Sequence, residues 1–119
     1  MGIEIQVLKD YVKMIYSPEE LDKEALREQR AMVVEALRKN ELNRVLIDAS
    51  ELRDLPSAFT LLDHNSAVSK DEVLSRVKFA VLFSNLASSE HFLEDSAWNR
   101  GIRLKCFTDE DTALSWLLG

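Results

Sequence analysis

One cysteine, two prolines and three glycines are all that 119 residues supply to staple, stiffen or loosen the chain. With Cys106 as the only thiol, no disulfide can form within the chain, and nothing points to an oxidising compartment. So little glycine and proline, beside 46% hydrophobic residues, describes one compact domain over residues 1–119 and not a disordered tail or two linked domains. A chain of this length buries roughly 65% of its unfolded surface, enough for a core without staples. Long apolar runs are missing too: none approaches the roughly 20 residues that span a bilayer. The opening MGIEIQVLKD has no basic segment followed by an apolar one, so no signal peptide is expected and a cytoplasmic location is. Three glycines cannot build most phosphate-cradling loops, and no P-loop, G-x-G-x-x-G or G-x-S-x-G occurs. Excess positive charge is also absent. Fifteen Lys and Arg face 21 Asp and Glu, for a net charge of -6 and a pI near 4.9. The cations are interspersed with acids, as in Lys23-Glu24, Arg27-Glu28 and Arg53-Asp54, so neither nucleic acid nor an anionic membrane is an expected partner.

What is present reads as alternating strands and helices. IEIQVL sets Ile3, Ile5 and Val7 against Glu4 and Gln6 with the period of a half-buried strand, and Lys9-Asp10 turns the chain into a second β-rich run, YVKMIY. Ser17-Pro18-Glu19-Glu20 is a helix start with a capping box. Leu21, Ala25, Gln29, Met32, Val33, Ala36 and Leu37 then recur at helical spacing toward a stop near Asn40. RVLIDA (44–49) and VKFAVLF (77–83) are short, nearly continuous apolar runs, as expected of central parallel strands covered on both faces. A second helix begins at Ala58-Phe59, and Ser69-Lys70-Asp71-Glu72 reads as a capping box for a short further turn with Val73 and Leu74 inward. Residues 89–100 form a helix stopped by Gly101, IRLKCF is an edge strand, and Thr108 caps a last helix held down by Ala113, Leu114, Trp116 and Leu117. The order is β-β-α-β-α-β-α-β-α, an α/β domain whose mostly parallel five-stranded sheet opens with an antiparallel hairpin.

This order, the chain length, and the pieces NRVLIDASEL, RVKFAVLF and NRGIRLKCFTDEDTALSWL resemble the SpoIIAA-like branch of STAS domains, named for sulfate transporters and anti-sigma factor antagonists. The resemblance implies a first strand at the sheet edge, antiparallel to the rest. It also implies a regulatory, non-catalytic role. In anti-sigma factor antagonists the strand corresponding to residues 45–48 leads into a loop with an Asp-Ser-Ser-Gly-like motif whose serine is phosphorylated by a partner kinase. Here the matching stretch is Leu55-Pro56-Ser57-Ala58-Phe59. An ungapped register sets the family's aspartate on Pro56, its acceptor serine on Ala58 and its glycine on Phe59, so Ser57 alone offers a hydroxyl. Ser57 reads first as a helix N-cap and second as a phosphoacceptor at a helix N-terminus.

Asp48 ends a buried strand, where open α/β sheets place ligands, and its plainer role is an Asx turn tying down the next loop. Asp54 could add a second carboxylate, but the pair specifies neither metal nor acid-base chemistry. Cys106 shares an apolar strand face with Ile102 and Leu104 and reads as a buried structural residue. His91, Glu94 and Asp95 have the spacing of a metal face, though such groups are more often ion pairs and solvent contacts. Nothing in the sequence around His64 names its partner. No enzyme, metal or other cofactor is expected. Two readings remain. In one, the domain docks a protein partner, or itself as a homodimer, through the loop after Asp48 and the helix bearing Phe59, Leu61 and Leu62. In the other, that region covers a pocket for a lipid or another small apolar ligand.

Overall fold

The computed structural model describes the backbone of residues 3–16, 23–51, 58–84 and 88–119, and the side chains of all of these except 23, 58–63, 88–90 and 92. Strands β1 (Ile3–Val7) and β2 (Val12–Tyr16) pair antiparallel, with Ile5 opposite Met14. The Leu8 N–H donates to the Tyr11 carbonyl at 2.9 Å and closes the turn at Lys9 and Asp10. Strands β3 (Arg44–Asp48), β4 (Lys78–Leu82) and β5 (Arg103–Phe107) then add in parallel, giving the order β1-β2-β3-β4-β5 with β3 in the middle. Helices α1 (Lys23–Asn40), α2 (Ala58–Lys70), α3 (Ser88–Asn99) and α4 (Glu110–Leu118) alternate with these strands, and a 3-10 turn at Leu74–Arg76 precedes β4.

Strand parity divides the core between two faces. Val12, Met14, Val45, Ile47, Phe79, Val81, Leu104 and Cys106 share one face with Leu26, Val33 and Leu37 of α1, Val68 of α2, and Leu93 and Ala97 of α3. Leu46, Ala80, Leu82 and Phe107 share the other with Ala113 and Leu117 of α4. Three helices therefore cover one face and α4 covers β3 to β5 on the other, which is why β3 and β4 are apolar at consecutive positions. The buried α1 stripe is Leu26, Gln29, Val33 and Leu37, whereas Met32, expected inward, is exposed.

Helix ends explain most remaining differences from the sequence reading. At the end of α3, Gly101 has φ +76; its N–H donates to Trp98 and that of Ile102 to Ala97, both at 3.0 Å, the pairing of a Schellman motif. The same motif ends α1 one residue beyond Asn40, with Glu41 at φ 54 and the Leu42 N–H donating to Leu37 at 3.0 Å. The last helix is capped by Asp109 and not Thr108: its Oδ2 accepts from the Thr112 N–H at 2.9 Å and the Thr112 hydroxyl at 2.8 Å. These two bonds hold the Asp109 carboxyl below its ordinary range. Ser69 opens no new helix either. It lies within α2, its hydroxyl donating to the Ser66 carbonyl at 2.8 Å. The next turn is held by Asp71, whose Oδ1 accepts from the N–H groups of Val73 and Leu74 at 2.8 and 2.9 Å. Among the described residues no helix is long and apolar enough to cross a membrane. The capping box expected at Ser17 and Glu20 lies outside the described residues.

Candidate functional site

The carboxyl ends of the parallel strands form one rim of the sheet, the place where open α/β folds gather functional groups. Asp48 closes the central strand on that rim. Its Oδ1 accepts from the Ser50 N–H at 3.1 Å and the Ser50 hydroxyl at 2.6 Å, an Asx turn that folds the chain back as it leaves β3. The Ala49 N–H donates to the Leu82 carbonyl and the Phe83 N–H to the Phe107 carbonyl, both at 2.8 Å, so the rim is tied strand to strand. Asp54 and Ser57 lie outside the described residues. Phe59, Leu61 and Leu62 fall on α2, which fixes their backbone, while their side chains lie outside the description.

Helix α2 is seated by its second half through polar pairs that reach both neighbours. The Arg30 guanidinium of α1 meets His64 Nδ1 at 2.8 Å. Since guanidinium can only donate, Nδ1 accepts and the ring proton of this tautomer is on Nε2. Asn65, buried, donates from Nδ2 to the Ser96 hydroxyl oxygen of α3 at 3.1 Å, and Arg100 Nη1 donates to the same oxygen at 3.3 Å. On the core-facing stripe of α1, the buried Tyr16 hydroxyl donates to Gln29 Oε1. Burial pushes the Tyr16 phenol well above its ordinary range, with the Gln29 bond opposing the shift. Gln29, Arg30, His64 and Asn65 together rim a cavity of about 30 Å³ over Val33 and Phe79. That is room for water and far below a ligand pocket.

Sequence spacing did not bring these groups together, because Arg30 and His64, or Asn65 and Ser96, meet only through tertiary packing. Gln29 gave the one available signal, a polar residue inside an apolar helical stripe. Of the suspected metal face, His91 and Asp95 are exposed, while Glu94 turns inward and its Oε2 accepts from the Cys106 N–H at 2.9 Å. Among the described residues no three His, Cys, Asp or Glu are grouped as a metal site. Cys106 itself is buried in the sheet, as its strand position suggested.

At the opposite rim Arg44, Lys78 and Arg103 stand side by side on β3, β4 and β5. Lys78 lies 4.4 Å from the centre of the Trp116 ring and donates to the Trp116 carbonyl, so it answers the negative end of α4. Desolvation against α4, and then the two arginines, hold its ammonium below the ordinary lysine range.

Compared with known proteins, the chain matches no family model, and no curated protein matches it.

Proposed function

We propose that this chain is a non-catalytic, cytoplasmic interaction domain of the SpoIIAA-like (STAS) type that docks a protein partner, or a second copy of itself, through residues 49–57 and α2. The observation that carries this reading is the strand order. The resemblance implies a first strand at the sheet edge, antiparallel to the rest; β1 stands there, and β2 to β5 run parallel beside it. This order sets the β3-to-α2 corner at the carboxyl end of the central strand. The Asp48–Ser50 turn gives that corner a fixed start, and the polar seating of the second half of α2 leaves recognition to the loop and first turns.

The second reading, a pocket for a lipid or another apolar ligand, draws less support. Among the described residues the cavity beneath α1 and the second half of α2 holds about 30 Å³, whereas small-molecule sites run to hundreds; the side chains of Phe59, Leu61 and Leu62 lie outside that description. The test compares proteins captured by the intact chain with those captured by Ser57→Asp, Leu62→Ala and, as a control on α4, the exposed Ser115→Asp, with native mass spectrometry of each preparation. Specific loss in the first two variants is the expected result. Capture indifferent to both would end the interaction reading, and a retained mass of lipid size would favour the pocket.

A further inference from the structure

The two margins of the sheet are treated differently. On β5 the outward groups are engaged by α3: Trp98 Nε1–H donates to the Leu104 carbonyl at 2.7 Å and Glu94 accepts from the Cys106 N–H. Such covering is how sheets avoid pairing with other chains. On β1 no such device is present among the described residues. In an antiparallel ladder the paired groups alternate, and the Leu8–Tyr11 bond fixes the phase: Glu4 and Gln6 direct their N–H and C=O to β2, while Ile3, Ile5 and Val7 direct theirs to the open margin.

We propose that β1 is a self-association edge, on which a second copy of this chain adds its own β1 antiparallel about a two-fold axis through Ile5. In that register Ile5 faces Ile5 of the second copy and Ile3 faces its Val7, each such pair exchanging two hydrogen bonds from groups now directed outward. Ile3, Ile5 and Val7 then join a continuous apolar row on the α1 side, covering Val7, which is 46% exposed. On the other face Glu4, which accepts from Gln6 Nε2 of its own strand at 2.6 Å, comes opposite Gln6 of the second copy, with that copy's Lys13 next across its hairpin, so no two like charges are opposed. The pattern IEIQV is thus complementary to itself.

Helix α1 fits the same axis. Packed over both β1 and β2, it lies about 5 Å from the proposed axis, given strands roughly 4.8 Å apart, which sets two copies of α1 about 10 Å apart, the spacing of packed helices. Arg30 marks the flank of α1 that faces α2. Helical spacing puts Ala25, Met32 and Ala36 on the opposite flank. Ala25 and Ala36, like Ile3 and Ile5, are partly buried against the core of that face, while Met32 is 38% exposed. A small, apolar flank with one pliable side chain is what a close helix pair uses.

This surface is separate from residues 49–57 and α2: capture of a different protein through α2 does not depend on β1 pairing, and a dimer formed through α2 instead would be indifferent to Gln6→Glu. Sedimentation equilibrium of the full chain should give twice its 13.6 kDa mass. Val7→Pro removes an N–H that only the second copy uses, at an edge position that tolerates proline; it is expected to sediment as a folded monomer by circular dichroism. Gln6→Glu opposes Glu4 of the second copy and should weaken the dimer about tenfold at low salt, with Glu4→Lys added to it restoring the affinity. A wild-type monomer at about 100 μM, far above a micromolar dissociation constant, would overturn the proposal. So would a dimer indifferent to Gln6→Glu, a test that stands even where Val7→Pro fails to fold.

Discussion

Removing the hydroxyl of Tyr16 tests how the helical layer is fastened to the sheet. Tyr16 is 5% exposed and Gln29 is 4% exposed, and the phenol donates to Gln29 Oε1. Tyr16→Phe leaves that carbonyl oxygen buried without this donor, a loss of about 1–3 kcal/mol. At this chain length each kcal/mol lowers the melting temperature by roughly 3–6 °C. Replacing both partners, as in Tyr16→Phe with Gln29→Leu, removes the orphaned oxygen together with its donor and should recover most of the loss. The phenol also makes a second, separable prediction. Its folded pKa lies above the ordinary 10 because burial disfavours the phenolate. Above pH 10 the unfolded chain therefore gives up a proton that the folded chain retains. Stability then falls with rising pH by about 1.4 kcal/mol per unit from this group. The contribution is constant below pH 10 and is lost as pH climbs toward the folded value. Urea unfolding followed by circular dichroism at pH 7 and in steps above pH 10 measures both effects, with the variant expected to lack this part of the alkaline slope. A single variant within about 0.3 kcal/mol of wild type at pH 7, or a double variant no better than the single, would refute the reasoning.

Glu41→Gly relieves a left-handed residue at the α1 terminus and should stabilise the chain by about 0.5–1 kcal/mol, read as a rise in melting temperature. Glu94→Ala uncovers the Cys106 N–H and should cost about 1–2 kcal/mol, with faster hydrogen exchange of that amide before any other in β5. Asp109→Ala removes the α4 cap and should lower the melting temperature near neutral pH. Because the folded Asp109 pKa is depressed, the ionised cap's contribution is present above the ordinary 3.8 and lost as pH falls through the folded value; a difference from wild type that persisted undiminished in strong acid would count against the cap.

Element order was legible because each element advertises itself locally. Short, nearly continuous, β-branched apolar runs at 44–49 and 77–83 are what strands buried on both faces require, and Gly101 stands where a helix turns left-handed. Caps were less legible: Thr108 and Asp109 are adjacent and both accept hydrogen bonds, and only backbone geometry decides that Asp109 does the work. Glu41 escaped notice because nothing in a glutamate announces positive φ. The polar pairs of the helical layer were invisible for a different reason. Arg30 and His64 are 34 residues apart, and a periodic pattern carries no information about which helix lies beside which. Glu94 was misread as a solvent or metal group because its partner is a backbone amide on another element. Asp48 was the most readable site residue, since the Asx turn it makes involves a residue only two positions on.

A sheet with one guarded margin and one open margin has a built-in limit on growth. In the proposed dimer the open strand is saturated after a single addition, and the guarded strands at both far ends would give the product nowhere to propagate. Stripping the guard, for example with Trp98→Ala and Glu94→Ala together, would turn a chain-terminating geometry into a step-growth one, in which each particle carries two reactive ends and fibres replace dimers.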